Sequence, residues 1–192
     1  GIHKEISAIH ESTRLIMWLE NKMNLLSQET QDHRFEPPHS TLHVGQIYGG
    51  VATNIVADYT RFEWDVRVIP KDTIQTIFDE FFAFCKEREE EVKKMFSDFK
   101  ITNTLLHPPV PALDTKETDA IVELTQKISG HNTWRTVAYA AEAGQFHEAG
   151  YQSIICGPGS IEQAHRANEF TTQKQLDNCV KMLQKLVIEF SI

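Results

Sequence analysis

No stretch of this chain is apolar over the roughly 18 to 20 residues that a bilayer-spanning helix needs. The N-terminus also lacks the basic, apolar and small-residue regions of a signal peptide, so a soluble cytoplasmic protein is expected. Basic charge is in short supply too: 19 lysines and arginines against 27 acidic residues leave a net charge of −8. Nucleic acids and anionic membrane surfaces both ask for a basic face, and neither partner is expected here. Cysteine is scarce and odd in number. Cys85, Cys156 and Cys179 have no framework spacing and read as reduced packing residues rather than secreted disulfides. Repeats and low-complexity segments are absent, and so is an initiator methionine. Gly1 leads almost at once into a helical pattern, which reads as a fragment that has lost an upstream element.

What is present suits a soluble globular protein: 192 residues, 41% hydrophobic and 24% charged, enough for one large domain or two small ones. Ile9, Ile16, Leu19, Met23 and Leu26 recur at helical spacing, predicting an amphipathic helix over 8–27 with Ser7 as its cap. Two strand-like segments follow, TLHVGQIYGG and TRFEWDVRVI. In the second, Phe62, Trp64, Val66 and Val68 alternate with Arg61, Glu63, Asp65 and Arg67, so Arg67 is expected on the polar face. Asp72 and Gln75 approximate a capping box ahead of a second helix carrying Ile74, Ile77, Phe78 and Phe81 on one face. FKITNTLL reads as a third strand.

The proline-rich HPPVPALD has the composition of a crossing between domains, and the boundary is placed near Pro111. Beyond it, helix and strand alternate: a helix over 115–129 ending at Gly130, the strand WRTVAYAA, a short helix over 142–149 ending at Gly150, the strand SIICGPG, and a long helix from about Thr172. Such alternation implies a mainly parallel sheet flanked by helices. The expected fold is therefore α+β over 1–110 and α/β over 111–192.

Few residues suggest chemistry on their own. FHEAGY lacks the second histidine of a zinc-protease helix, leaving His147 and Glu148 as a surface pair. The EREEE run reads as a solvated helix face, and Cys156 as a packing residue in a buried strand. His33, His39, His43, His107 and His131 have no spacing that joins them into a zinc set. GPGSIEQAHRANEF stands apart. Its glycine turn ends a strand at the carboxyl edge of the inferred sheet, where open α/β folds place ligands, and it presents His165 in a polar, irregular stretch.

Two longer segments carry a resemblance, EPPHSTLHVGQIYGGVATNIVADYTRFEWDVRVIPKD and AEAGQFHEAGYQSIICGPGSIEQAHRANEF. Together they resemble the acetylornithine deacetylase branch of the dinuclear zinc amidohydrolases, a family that includes carboxypeptidase G, succinyl-diaminopimelate desuccinylase and the aminoacylases. Gly49-Gly50, Asn54, Arg67, Glu142-Ala143-Gly144, Gly157-Pro158-Gly159 and His165 match jointly and in order. The resemblance implies a ferredoxin-like lid or dimerisation domain over 1–110, its antiparallel sheet short of a first strand, and over 111–192 the C-terminal part of a catalytic domain.

It further implies hydrolysis of an N-acyl amino acid, with two divalent metal ions, zinc or cobalt, in the intact enzyme and homodimerisation through the lid. His165 matches the last metal ligand. The other ligands, and a glutamate serving as general base on water activated by zinc, belong to a half that this chain lacks, so no catalytic group is assigned here and the chain alone is expected to be inactive. Asn54 and Arg67 match lid positions that contact the substrate carboxylate, for which a guanidinium fork is well shaped; an exposed strand arginine and a turn asparagine are the plain alternatives. Glu142, Gly157 and Gly159 match the substrate-binding surface. Ala141 stands where the family often has threonine, and His3 lacks the small-residue context of the family's oxyanion-stabilising histidine. A related dipeptidase or desuccinylase, or a non-catalytic dimerisation module, are the rival readings.

Overall fold

A computed structural model describes residues 5–137, 139 and 141–191; His3 lies outside them. The chain divides into two compact units, Gly1–Pro109 with Thr136–Tyr139, and Val110–Arg135 with Ala140–Ile192.

The first unit opens with α1, Ala8–Glu29, whose start is capped by Ser7: the hydroxyl accepts from the His10 backbone N–H at 3.5 Å. Helical spacing buries Leu15, Leu19 and Leu26 along one stripe, while Ile9 stays 37% exposed near the helix start. β1 (Thr41–Gly49) and β2 (Thr60–Arg67) pair antiparallel, from Thr41 opposite Arg67 to Gly49 opposite Thr60, with an irregularity at Gly45. Phe62, Trp64, Val66 and Val68 pack towards the core, as their alternation requires.

α2, Ile74–Lys93, contributes Ile77, Phe81 and Cys85 to a core shared with Leu15, Leu19, Leu26 and Leu42. Phe81 is its centre. Trp18 of α1 and Trp64 of β2 meet the Phe81 ring at 5.4 and 5.1 Å between centroids, the Trp64 contact edge-on, so three elements are locked through one aromatic side chain.

The expected capping box at Asp72 does not form. Asp72 instead accepts from the hydroxyl of the fully buried Ser40 at 2.5 Å, while that hydroxyl accepts from the Ile69 N–H at 3.0 Å. A long-range tie has taken the carboxylate, and Thr73 caps α2 without a side-chain bond. FKITNTLL is likewise not a strand: Ile101 N–H donates to Glu89 Oε2 of α2 at 2.7 Å, so the segment satisfies itself on a helix instead of a ladder.

The second unit contains α3 (Ala120–Ser129), α4 (Ala143–Glu148) and α5 (Gln173–Glu189). α3 begins later than 115 because the Asp119 carboxylate reaches back to the Lys116 N–H at 2.9 Å, fixing a turn before the helix; Gly130 ends it in the left-handed conformation at φ 75°. The predicted parallel sheet is absent among the described residues. WRTVAYAA and SIICGPG are not strands there, since an extended segment becomes a strand only when a neighbour accepts its ladder. The Ser153 carbonyl is met by the Thr115 hydroxyl instead, while Thr136 uses its own hydroxyl to donate to the Arg34 carbonyl. Cys156 consequently sits exposed, its sulfur 3.5 Å from that of Met182, rather than buried in a strand. Desolvation, then the nearby Cys179, raises its thiol pKa.

Candidate functional site

In the first unit, Asn54 lies exposed in the connection between β1 and β2, and Arg67 is the last residue of β2. The hairpin register puts them at opposite ends. Seven residue steps of strand span about 23 Å, so the structure does not bring these two residues together within one chain. Arg67 lies on the polar face as expected, 65% exposed, with its Nε donating to Asp65 Oδ2 at 2.9 Å. An ion pair this exposed is weak, about 0 to 1 kcal/mol.

In the second unit, Glu142 immediately precedes α4 and is exposed. The glycine of the same Glu-Ala-Gly motif has a packing role: Gly144 is buried, and a Cβ there would run into the Pro111 carbonyl. The motif is thus pinned to the start of its unit by an approach only glycine permits. Gly157 has no neighbour where a Cβ would stand, and Gly159 adopts φ 108°, a conformation that favours glycine.

Gln175, which the sequence reading missed, ties this turn to α5. Its Oε1 accepts from the Thr172 N–H at 3.3 Å, completing a capping box with the Thr172 hydroxyl, and its Nε2 donates to the Gly159 carbonyl at 3.3 Å. The signal was present in the spacing Thr172-x-x-Gln175.

His165 follows in an irregular turn, exposed, with φ 59°. Its backbone N–H donates to Glu169 Oε2 at 3.0 Å. One imidazole does not make a metal site: among the described residues no group of three or more histidine, cysteine, aspartate or glutamate side chains is placed to share an ion. The residues present therefore do not fit a metal pair by themselves. His147 and Glu148 lie on α4, and His39 Nδ1 is occupied 2.9 Å from the Ser40 carbonyl oxygen. No helix of the described residues is long and apolar enough to cross a membrane.

Residues 2–93 match the family of the peptidase dimerisation domain. Over nearly its whole length it is similar to proteins named acetylornithine deacetylase. That of Aliivibrio salmonicida is 29% identical over 95% of this chain and 46% of its own length; that of Pasteurella multocida is 28% identical over 96% and 46%; that of Erwinia tasmaniensis is 30% identical over 86% and 40%. The chain spans about half the length of the curated relatives it matches.

Proposed function

We propose that this chain is the lid, residues 1–110, and the C-terminal part of the catalytic domain, residues 111–192, of a cytoplasmic metal-dependent amidohydrolase in arginine biosynthesis. Its reaction is hydrolysis of an N-acyl amino acid, N-acetylornithine to ornithine and acetate. The observation that carries this reading is the similarity to acetylornithine deacetylases along 95% of the chain, supported by the match of residues 2–93 to the peptidase dimerisation domain.

In this reading Arg67 binds the substrate carboxylate through a guanidinium fork, and Asn54, Glu142, Gly157 and Gly159 belong to the substrate-binding surface, Asn54 acting apart from Arg67. His165 supplies one imidazole to a pair of zinc or cobalt ions whose remaining donors come from elsewhere in the enzyme. The lid forms a homodimer. The finer fold assignment, a ferredoxin-like lid, is supported by the hairpin and the two helices packed on it.

Two proteins test this side by side: the 192-residue chain, and a protein extended upstream of Gly1 to the length of the relatives. Each is loaded with zinc or cobalt and given N-acetylornithine, and acetate is followed. Turnover by the longer protein alone is the expected result. A coding sequence upstream of Gly1 with no metal-binding histidine or paired glutamates would overturn it in favour of a non-catalytic dimerisation module, and turnover confined to a dipeptide or succinyl substrate would move the enzyme to a neighbouring branch.

A further inference from the structure

His165 and Asn168 are the two non-glycine residues with positive φ among those described, at 59° and 65°. A side chain in the left-handed region crowds its own backbone, so something must hold a turn that places two there within four residues. The tie is Glu169. Its backbone N–H donates to the Arg166 carbonyl at 3.1 Å, closing the turn at one end, and its carboxylate Oε2 accepts from the His165 N–H at 3.0 Å, closing it at the other. No backbone carbonyl among the described residues takes that His165 N–H. A bond from an amide to an ionised carboxylate is stronger than its neutral counterpart, and here it falls on the residue whose conformation needs support.

We propose that Glu169 is the positioning residue of His165: by accepting its backbone N–H, the carboxylate holds the left-handed turn that leaves the imidazole exposed. The bearing of this on catalysis rests on the reading of His165 as a metal-facing imidazole; the positioning itself does not.

The test is NMR on the 192-residue chain labelled with ¹⁵N. A positive φ brings the amide and α protons of one residue close, giving a strong intraresidue NOE, and a carboxylate acceptor moves the amide proton downfield. In Glu169→Ala the expected result is an upfield shift of the His165 amide and loss of that NOE. Glu169→Gln keeps an acceptor oxygen of the same reach and should retain both. A glycine at 165 needs no support, so adding Glu169→Ala to His165→Gly should leave the resonances of 160–168 where His165→Gly alone puts them. An unchanged His165 amide and NOE in Glu169→Ala would overturn the proposal, and so would equal loss in Glu169→Gln. The reading of His165 as a ligand is checked separately, by the response of its imidazole nitrogens to zinc in the protein extended to the relatives' length. No response there, with the amide moving as expected, supports positioning and removes the metal role alone.

Discussion

Asp32 shows how one buried charge can be held ionised. It is 5% exposed, and Arg34 grips both of its oxygens, Nε at 2.9 and 3.2 Å and a terminal nitrogen at 2.6 Å. That hydrogen bonding, against desolvation, lowers the carboxyl from 3.8 to about 2. The folded pKa lies below the unfolded one, so the pair's contribution is fully present above pH 4 and is lost as pH falls towards 2. With Arg34 37% exposed, solvent screening leaves about 1 to 2 kcal/mol. Urea unfolding of wild type and Asp32→Asn should differ by that amount at pH 7 and converge near pH 2. Arg67 offers the contrasting case, an exposed charge whose proposed worth is in binding substrate. In the extended enzyme, Arg67→Ala should lower kcat/KM by about 2 to 4 kcal/mol with metal content unchanged, and lysine should restore part of it, because a lost fork affects substrate rather than metal. Equal kinetics in the alanine variant would make Arg67 an ordinary strand residue.

Elements were legible in proportion to how local their causes are. α1 and α5 start at Ser7 and Thr172, where hydroxyls cap backbone N–H groups three residues on, and each follows an apolar period that sequence alone displays. The strands expected at FKITNTLL, WRTVAYAA and SIICGPG do not form among the described residues, because strand character depends on a partner; the Ile101 N–H is met by Glu89 and the Ser153 carbonyl by the Thr115 hydroxyl instead. Asp72 was misassigned for the same reason: its partner, Ser40, is 32 residues away. In the candidate site the motifs fixed which residues to consider, while the antiparallel register, invisible as spacing, set Asn54 and Arg67 at opposite ends of a hairpin. The Ser40 tie makes a further prediction. Ser40→Ala leaves the Ile69 N–H unpaired in a buried position and frees the Asp72 carboxylate, so it should destabilise the first unit by about 2 to 3 kcal/mol, measured by denaturant unfolding followed through Trp18 and Trp64. Ser40→Thr, which retains the hydroxyl, should cost less.

At the scale of the whole molecule, the first unit has a sheet of two strands, and among the described residues nothing pairs with its outer edges. A lone hairpin is marginal in water, and it is stabilised by packing one face on helices, as Phe62, Trp64 and Val66 do here. The edges and the far face are a separate matter: Tyr48, opposite Arg61 on the face away from the helices, and Tyr59 just before β2 are 57% and 64% exposed at the loop end of the hairpin, in a segment that matches a dimerisation domain. An unpaired edge flanked by exposed apolar side chains is a template for association, and a second copy of the chain satisfies both. Sedimentation should therefore find a dimer at concentrations of about tens of micromolar. Tyr48→Glu places a charge on that surface without touching the buried core, so it should weaken association by about tenfold or more while circular dichroism and the Trp64 environment stay unchanged. A strict monomer in the wild-type chain would count against lid-mediated dimerisation, and an unfolded Tyr48→Glu variant would show that β1 needs Tyr48 for its own stability rather than for a partner.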